Sequence, residues 1–153
     1  MKKLTFFLSF LCVASLTQAQ QADEKAAIRA VIDQLFHAMR ANDSTLAAPL
    51  FHESAVLKSI GGDKGMAKMH ASTYQGFVTA IGTPHEGVWD EHIGNVQIMV
   101  DGNFAIAWMD FTFYLNDQKL HCGVNMFQFV ATADGWKIIG ITDTRRKGEC
   151  PDL

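Results

Sequence analysis

VQIMVDGNFAIAWMDFTFYL, residues 96–115, alternates side chains in twos on both sides of an Asp101-Gly102 pair. A period of two marks a strand with one face buried, and Asp-Gly between two such runs is a strong hairpin signal. The period continues in both directions. Four strands are expected at 88–100, 103–115, 119–131 and 136–145, with turns at Asp101-Gly102, Asn116-Asp117-Gln118 and Thr132-Ala133-Asp134-Gly135.

Upstream the period changes to that of a helix. Ile28, Val31, Ile32, Leu35, Phe36 and Met39 form one apolar stripe over residues 23–41, with Asp23 as the expected N-cap and Asn42-Asp43 as the stop. A short second helix is expected at 44–51, limited by Pro49. Residues 55–59 read as a strand, and 60–71, with three glycines and two lysines, as a loop. Ser72 and Gln75 match a capping box for a helix to Ile81 that buries Tyr74, Phe77, Val78 and Ile81. Helices first and a meander afterwards make an α+β fold, N-terminal helices packed on an antiparallel sheet.

The hairpins set a trial register. The first places Ile98 opposite Ala105; the second places Phe113 opposite His121 and Met109 opposite Asn125. One face then collects Val96, Ile98, Ala105, Ala107, Met109, Phe111, Phe113, Phe127 and Phe129, with His121 and Asn125 among them and Asp90 and His92 at the open end. The other face carries Trp108, Asp110, Tyr114, Cys122, Val124 and Met126; Asp110 and Arg145, with Asp143, are expected there as a surface or interface ion pair. Gly94 is a candidate bulge, and a bulge exchanges the faces beyond it. The second face is too apolar for a freely solvated sheet, so a second copy of the chain is expected to pack on it.

The first 19 residues stand apart from the fold. Lys2 and Lys3 precede an apolar run at 4–16, and Thr17-Gln18-Ala19 supplies a small residue for cleavage, the order of a secretory signal peptide. The run is shorter than the ~20 residues of a spanning helix. Residues 20–153 are then one domain, expected in the periplasm or outside the cell. Without Lys2 and Lys3, 11 basic residues face 16 acidic ones, a formal charge of −5 with no basic run, which disfavours nucleic acid as a partner. No second segment approaches membrane length, so no membrane partner is expected after cleavage. Cys12 departs with the signal, leaving Cys122 and Cys150 as an expected disulfide in an oxidising compartment. No His-x-x-x-His or other metal-ligand spacing occurs, and no glycine-rich phosphate loop, so neither metal nor cofactor is expected.

Several stretches together carry a resemblance. They are the opening helix with Asn42-Asp43, Leu50-Phe51-His52-Glu53-Ser54-Ala55, Val100-Asp101-Gly102-Asn103-Phe104-Ala105 and His121-Cys122-Gly123-Val124-Asn125. Gly135-Trp136-Lys137-Ile138 and Asp143-Thr144-Arg145-Arg146, with Cys150 behind, complete the set. The chain resembles the NTF2-like (SnoaL-like) superfamily, most closely its small exported bacterial members, over essentially all of residues 20–153. The resemblance implies a cone closed by a strongly curved sheet around an apolar pocket. It does not imply one activity, because the superfamily includes isomerases, dehydratases, cyclases, transport factors and binding modules. Its enzymes typically place an aspartate, alone or with a histidine, in the cone. Here the position four after His121 is Asn125, whose amide cannot act as a general base.

The expected ligand site is therefore His121 and Asn125 as polar contacts, Met109, Phe113 and Phe127 as apolar wall, and Asp90 and His92 at the rim, with no catalytic residue assigned. This ranks a small-molecule binding module, taking an apolar molecule with polar groups, ahead of a cofactor-free proton-transfer enzyme of isomerase, dehydratase or cyclase type. A protein-interaction module using the second sheet face comes third. An acid of raised pKa facing His121 would reverse the first two.

Overall fold

The computed structural model describes residues 5–153, with side chains from residue 20 onward, so residues 1–4 and the side chains of the rest of the expected signal segment lie outside the described residues. Helix α1 (Thr5–Arg40) passes through Asp23 without a cap, because alanine, glutamine and glutamate on both sides favour continued helix. Its stripe is buried as expected: Ile28, Ile32 and Leu35 are closed to solvent, and the Phe36 ring meets Phe127 edge-on at 6.1 Å. Asp43 caps the short helix α2 (Ser44–Ala47), accepting hydrogen bonds from the Thr45 and Leu46 amides. Pro49 then sits in a 3-10 turn, Ala48–Leu50, rather than ending a longer helix.

Strand β1 (Phe51–Gly61) begins earlier than the sequence suggests, and the expected loop contains a second strand, β2 (Lys68–Thr73), antiparallel to it. That strand is exposed along its whole length, so it has no buried alternate positions from which a period could be read. Thr73, not Ser72, caps helix α3 (Tyr74–Gly82), accepting from the Gly76 amide at 3.3 Å. Strands β3 (Trp89–Asp101), β4 (Phe104–Leu115), β5 (Gln118–Thr132) and β6 (Gly135–Thr144) follow at nearly the expected positions.

The six strands form one sheet in the order β2-β1-β6-β5-β4-β3. Its pairs are antiparallel except β1 and β6, which run parallel; the sheet is mixed rather than wholly antiparallel. A parallel pair needs a long crossover, and here residues 62–134 lie between its two members. α1 packs across the inner face, lying closest to β3 and also against β6, and Ala105 and Ala107 of β4 belong to the same buried core.

The register shifts in four strand pairs, and such irregularities bend the strands; one lies in β1 opposite β6, between Phe51 and Val56. In β3 the register passes from Gly94↔Asp110 to Gln97↔Trp108, with the extra residue at Asn95, whose φ is 51°. Between β4 and β5 the register shifts beside Tyr114, so the turn is the two-residue Asn116-Asp117, both at positive φ, and Phe113 still faces His121 as expected. Between β5 and β6 the shift lies between Gln128 and Phe129. The first hairpin turns on Gly102-Asn103 rather than Asp101-Gly102, pairing Val100 with Ala105. That slip of an even number of positions leaves the faces unchanged.

Cys122 and Cys150 form a disulfide with Cα atoms 5.6 Å apart. It pins the C-terminal tail to the outer face, where Thr112 donates to the Pro151 carbonyl at 2.9 Å and Leu153 packs against Gly94. At this end of the sheet the cover expected from a second copy is supplied by the chain's own tail. Close packing of β5 on β6 has a cost that can be measured. A Cβ at Gly123 would lie 1.8 Å from the Thr144 carbonyl oxygen, a backbone atom that cannot rotate away. Gly123→Ala is expected to destabilise the fold by ~1–3 kcal/mol. Urea denaturation checks this, and an unchanged midpoint would show that the strands separate freely there.

Candidate functional site

The inner sheet face and α1 enclose a cavity of about 360 Å³. Its apolar wall includes Leu35, Phe36, Phe111, Phe113 and Phe127. Strand pairing brings the polar groups together. Glu91 pairs with Phe113 and Phe113 with His121, forming one row across three strands; Asn125 pairs with Asp143 and Asp143 with Ser59, forming another.

Glu91 enters the cone because of the Asn95 bulge. Without the extra residue, Asp90 and His92 would point inward. With it they pair with Tyr114 and Thr112 and lie on the outer face, contrary to the sequence reading. There Asp90 is ion-paired with Arg40 and lies 3.1 Å from His92 Nε2, while the His92 ring packs on Tyr114 and its Nδ1 is 3.1 Å from the Leu153 carbonyl. The second unexpected group arises in the same way. The β5–β6 bulge turns Asp143 and Arg145 inward, while Asp110 stays outside and accepts from Asn95. Of the remaining expected residues, His121, Asn125, Phe113 and Phe127 line the cavity. Met109 is fully buried in the core and does not line it.

The polar groups form two linked sets. Asn125 Nδ2 donates to Glu91 Oε1 at 2.5 Å, fixing the carboxyl and assigning the amide's orientation. Ser59 Oγ donates to Asp143 Oδ1 at 2.5 Å, and Arg145 Nε to Asp143 Oδ2 at 2.6 Å. Burial in the cone pushes the Glu91 carboxyl up to about 7; the Asn125 hydrogen bond opposes this, the Asp143 carboxylate adds to it, and Arg145 opposes it. His121 stacks on Phe113 with ring centroids 5.0 Å apart and meets Phe111 edge-on. Burial lowers its pKa below the ordinary 6.5, and Arg145 lowers it further. At neutral pH the cone thus holds a neutral imidazole and a carboxyl poised between its acid and its base form. Such a carboxyl can give or take a proton without a cofactor.

Among the described residues, no group of three histidine, cysteine, aspartate or glutamate side chains is placed to hold a metal ion. No helix of the described residues is long and apolar enough to cross a membrane.

A family model described as a SnoaL-like domain matches residues 20–142. No curated protein matches the chain. Among solved structures, an NTF2-like protein of unknown function from Shewanella baltica OS155 is similar at 18% identity and TM-score 0.62, over 83% of this chain and 97% of that one. An NTF2-like protein with a cystatin-like fold from Novosphingobium aromaticivorans shares 15% identity at TM-score 0.68, over 97% and 94%. A protein of unknown function from Mycobacterium tuberculosis shares 13% identity at TM-score 0.69, over 84% and 75%. At these identities the likeness is one of fold, the NTF2-like cone.

Proposed function

Because the chain belongs to the SnoaL-like domain family, whose cone is a scaffold for binding or for catalysis, we propose that it takes a small, largely apolar molecule into the cone and exchanges a proton with it through Glu91. The observation that carries this reading is the Glu91 carboxyl, held by Asn125 inside an apolar cavity with a pKa near neutrality. The sequence ranked binding above catalysis because Asn125 stands where an acid was wanted. In the folded chain Asn125 instead orients an acid that comes from another strand. Proton transfer at a carbon beside a carbonyl suits such a group, since a base of matched pKa at the working pH makes both transfer steps accessible. His121, neutral and in the same row, is placed to donate to a developing oxyanion.

The test is deuterium exchange in heavy water, followed by NMR, against a panel of small steroids, polyketide-type ketones and aromatic acids. Wild type is expected to exchange a ligand proton, Glu91→Gln to bind without exchange, and His121→Ala to exchange more slowly. Binding by wild type with no exchange on any ligand would return the protein to the class of plain binding modules.

Two further expectations concern its setting. Export to the periplasm or beyond accords with the disulfide, and a mature N-terminus at or near Gln20 on the exported protein is the expected result of sequencing. A homodimer through the outer sheet face is proposed around Trp108 and Met126, which pair across β4 and β5. Trp108, Met99 and Phe104 remain exposed there, at the end that the tail leaves open. Tyr114, also expected in that interface, packs instead on His92 beside the tail. Light scattering at micromolar concentration is expected to give twice the monomer mass, from an interface of at least ~1,000 Å² in total. A monomer at that concentration would remove the dimer.

A further inference from the structure

The cone does not end at its apolar wall. On the β6 side it opens into a groove of about 460 Å³ floored by β1 and β2, and the two spaces share Leu57, Phe77, Ile141, Asp143 and Arg145. The pairing register explains the groove's chemistry. Leu57 pairs with Ser72, Ser59 with His70 and Gly61 with Lys68, so Ser72, His70 and Lys68 continue the inner face onto the edge strand. Beyond the last β1–β6 pair, Ile60↔Thr144, the Arg145 amide donates to the Ile60 carbonyl at 2.7 Å, which sets Arg145 beside Gly61. Arg145, Gly61 and Lys68 therefore lie side by side on three neighbouring strands. The two cationic residues are two strand spacings apart, ~10 Å between backbones, and the residue between them has no side chain.

Charge in the groove is unbalanced. Its one lining carboxylate, Asp143, is already held by Ser59 and by Arg145 Nε, a pair that does not use the terminal nitrogens of Arg145. Lys68 makes no ion pair among the described residues. An arginine fork and a lysine across an open floor suit an oxyanion, because charge-assisted hydrogen bonds are stronger than neutral ones.

We propose that Arg145 and Lys68, on either side of Gly61, form a subsite for a carboxylate or similar oxyanion on a ligand whose apolar body fills the cone. This rests on the reading of the cone as a small-molecule site and adds the substrate class: an amphiphilic organic acid. Its reactive part lies toward Glu91 and its anionic end toward β2.

Isothermal calorimetry on the full disulfide-bonded chain compares 6-phenylhexanoate with 6-phenylhexan-1-ol, which share a body and differ in the anionic end. The acid is expected to bind wild type about tenfold more tightly than the alcohol at low salt, and the preference is expected to shrink as salt screens the groove. Lys68→Gln, on an exposed strand, is expected to reduce acid affinity several-fold and leave the alcohol unchanged. Arg145→Lys, which keeps the charge but not the fork, is expected to reduce it less. Equal affinity of the two probes for wild type, or an unchanged acid affinity in Lys68→Gln, overturns the subsite and leaves the cone reading in place. Binding of neither probe to wild type overturns both.

Discussion

Glu91→Gln is expected to yield a protein that moves no proton in its cone and is more stable than wild type above neutral pH. The sign follows from linkage. An ordinary glutamate ionises near 4.5, the value for the unfolded chain, whereas in the fold Glu91 ionises at about 7. Below the lower value both states hold the proton and Glu91 adds no pH dependence. Between the two, the unfolded chain releases a proton that the fold retains, so stability falls as pH rises. Above pH 7 the full cost of a charged, desolvated carboxylate is present, on the order of 3 kcal/mol at about 1.36 kcal/mol per pKa unit. Glutamine has the same shape, still accepts from Asn125 and cannot ionise. Thermal melts of both proteins at pH 5 and pH 8.5 make the comparison, in which Asp143, Arg145 and His121 are common to both. The variant's advantage should be much larger at the higher pH. A constant difference across that range would show that Glu91 ionises as an ordinary carboxylate, and would take the proton-transfer proposal with it.

Removing the disulfide is the other large change expected. Cys122 and Cys150 are 28 residues apart, and closing a loop of that length constrains the unfolded chain by ~3–4 kcal/mol in the chain-entropy account. The Cys122→Ala, Cys150→Ala double variant is therefore expected to lose stability on that scale in guanidinium denaturation. The tail keeps a few polar contacts, Thr112 to Pro151, Lys119 to the Cys150 carbonyl and to Asp152, and His92 to the Leu153 carbonyl, too few to hold residues 147–153 in place against the entropy they regain. Release of the tail would uncover Thr112 and residue 122, so faster amide exchange in β4 and β5 at that end should accompany the loss. An unchanged midpoint with unchanged exchange would mean that the tail docks without its covalent tie.

Turn and period signals are local, and they carried most of the architecture. Strands β3 to β6 and the buried stripe of α1 follow from patterns a few residues long; the Phe113↔His121 and Met109↔Asn125 pairs match because a bulge offsets a turn one residue shorter than expected, and the Cys122–Cys150 bridge follows from the two cysteines left after the signal. Those patterns bear on backbone propensity and burial, which act on each segment separately. The exposed strand β2 left no such trace, because a strand with neither face buried has no alternation to display. The composition of the site was decided elsewhere. One extra residue at Asn95 exchanges Asp90 and His92 for Glu91, and one in the β5–β6 pairing turns Asp143 and Arg145 into the cone. Gly94 beside Asn95 marked where the first could fall. Whether the ladder takes up a bulge depends on how both strands and α1 pack once assembled. The sequence by itself thus determined which segments become strands and helices and which apolar residues form the core. Tertiary packing alone decided which of two adjacent acids, Asp90 or Glu91, is buried in the cone, because a shift of one residue exchanges faces while leaving the local pattern almost unaltered.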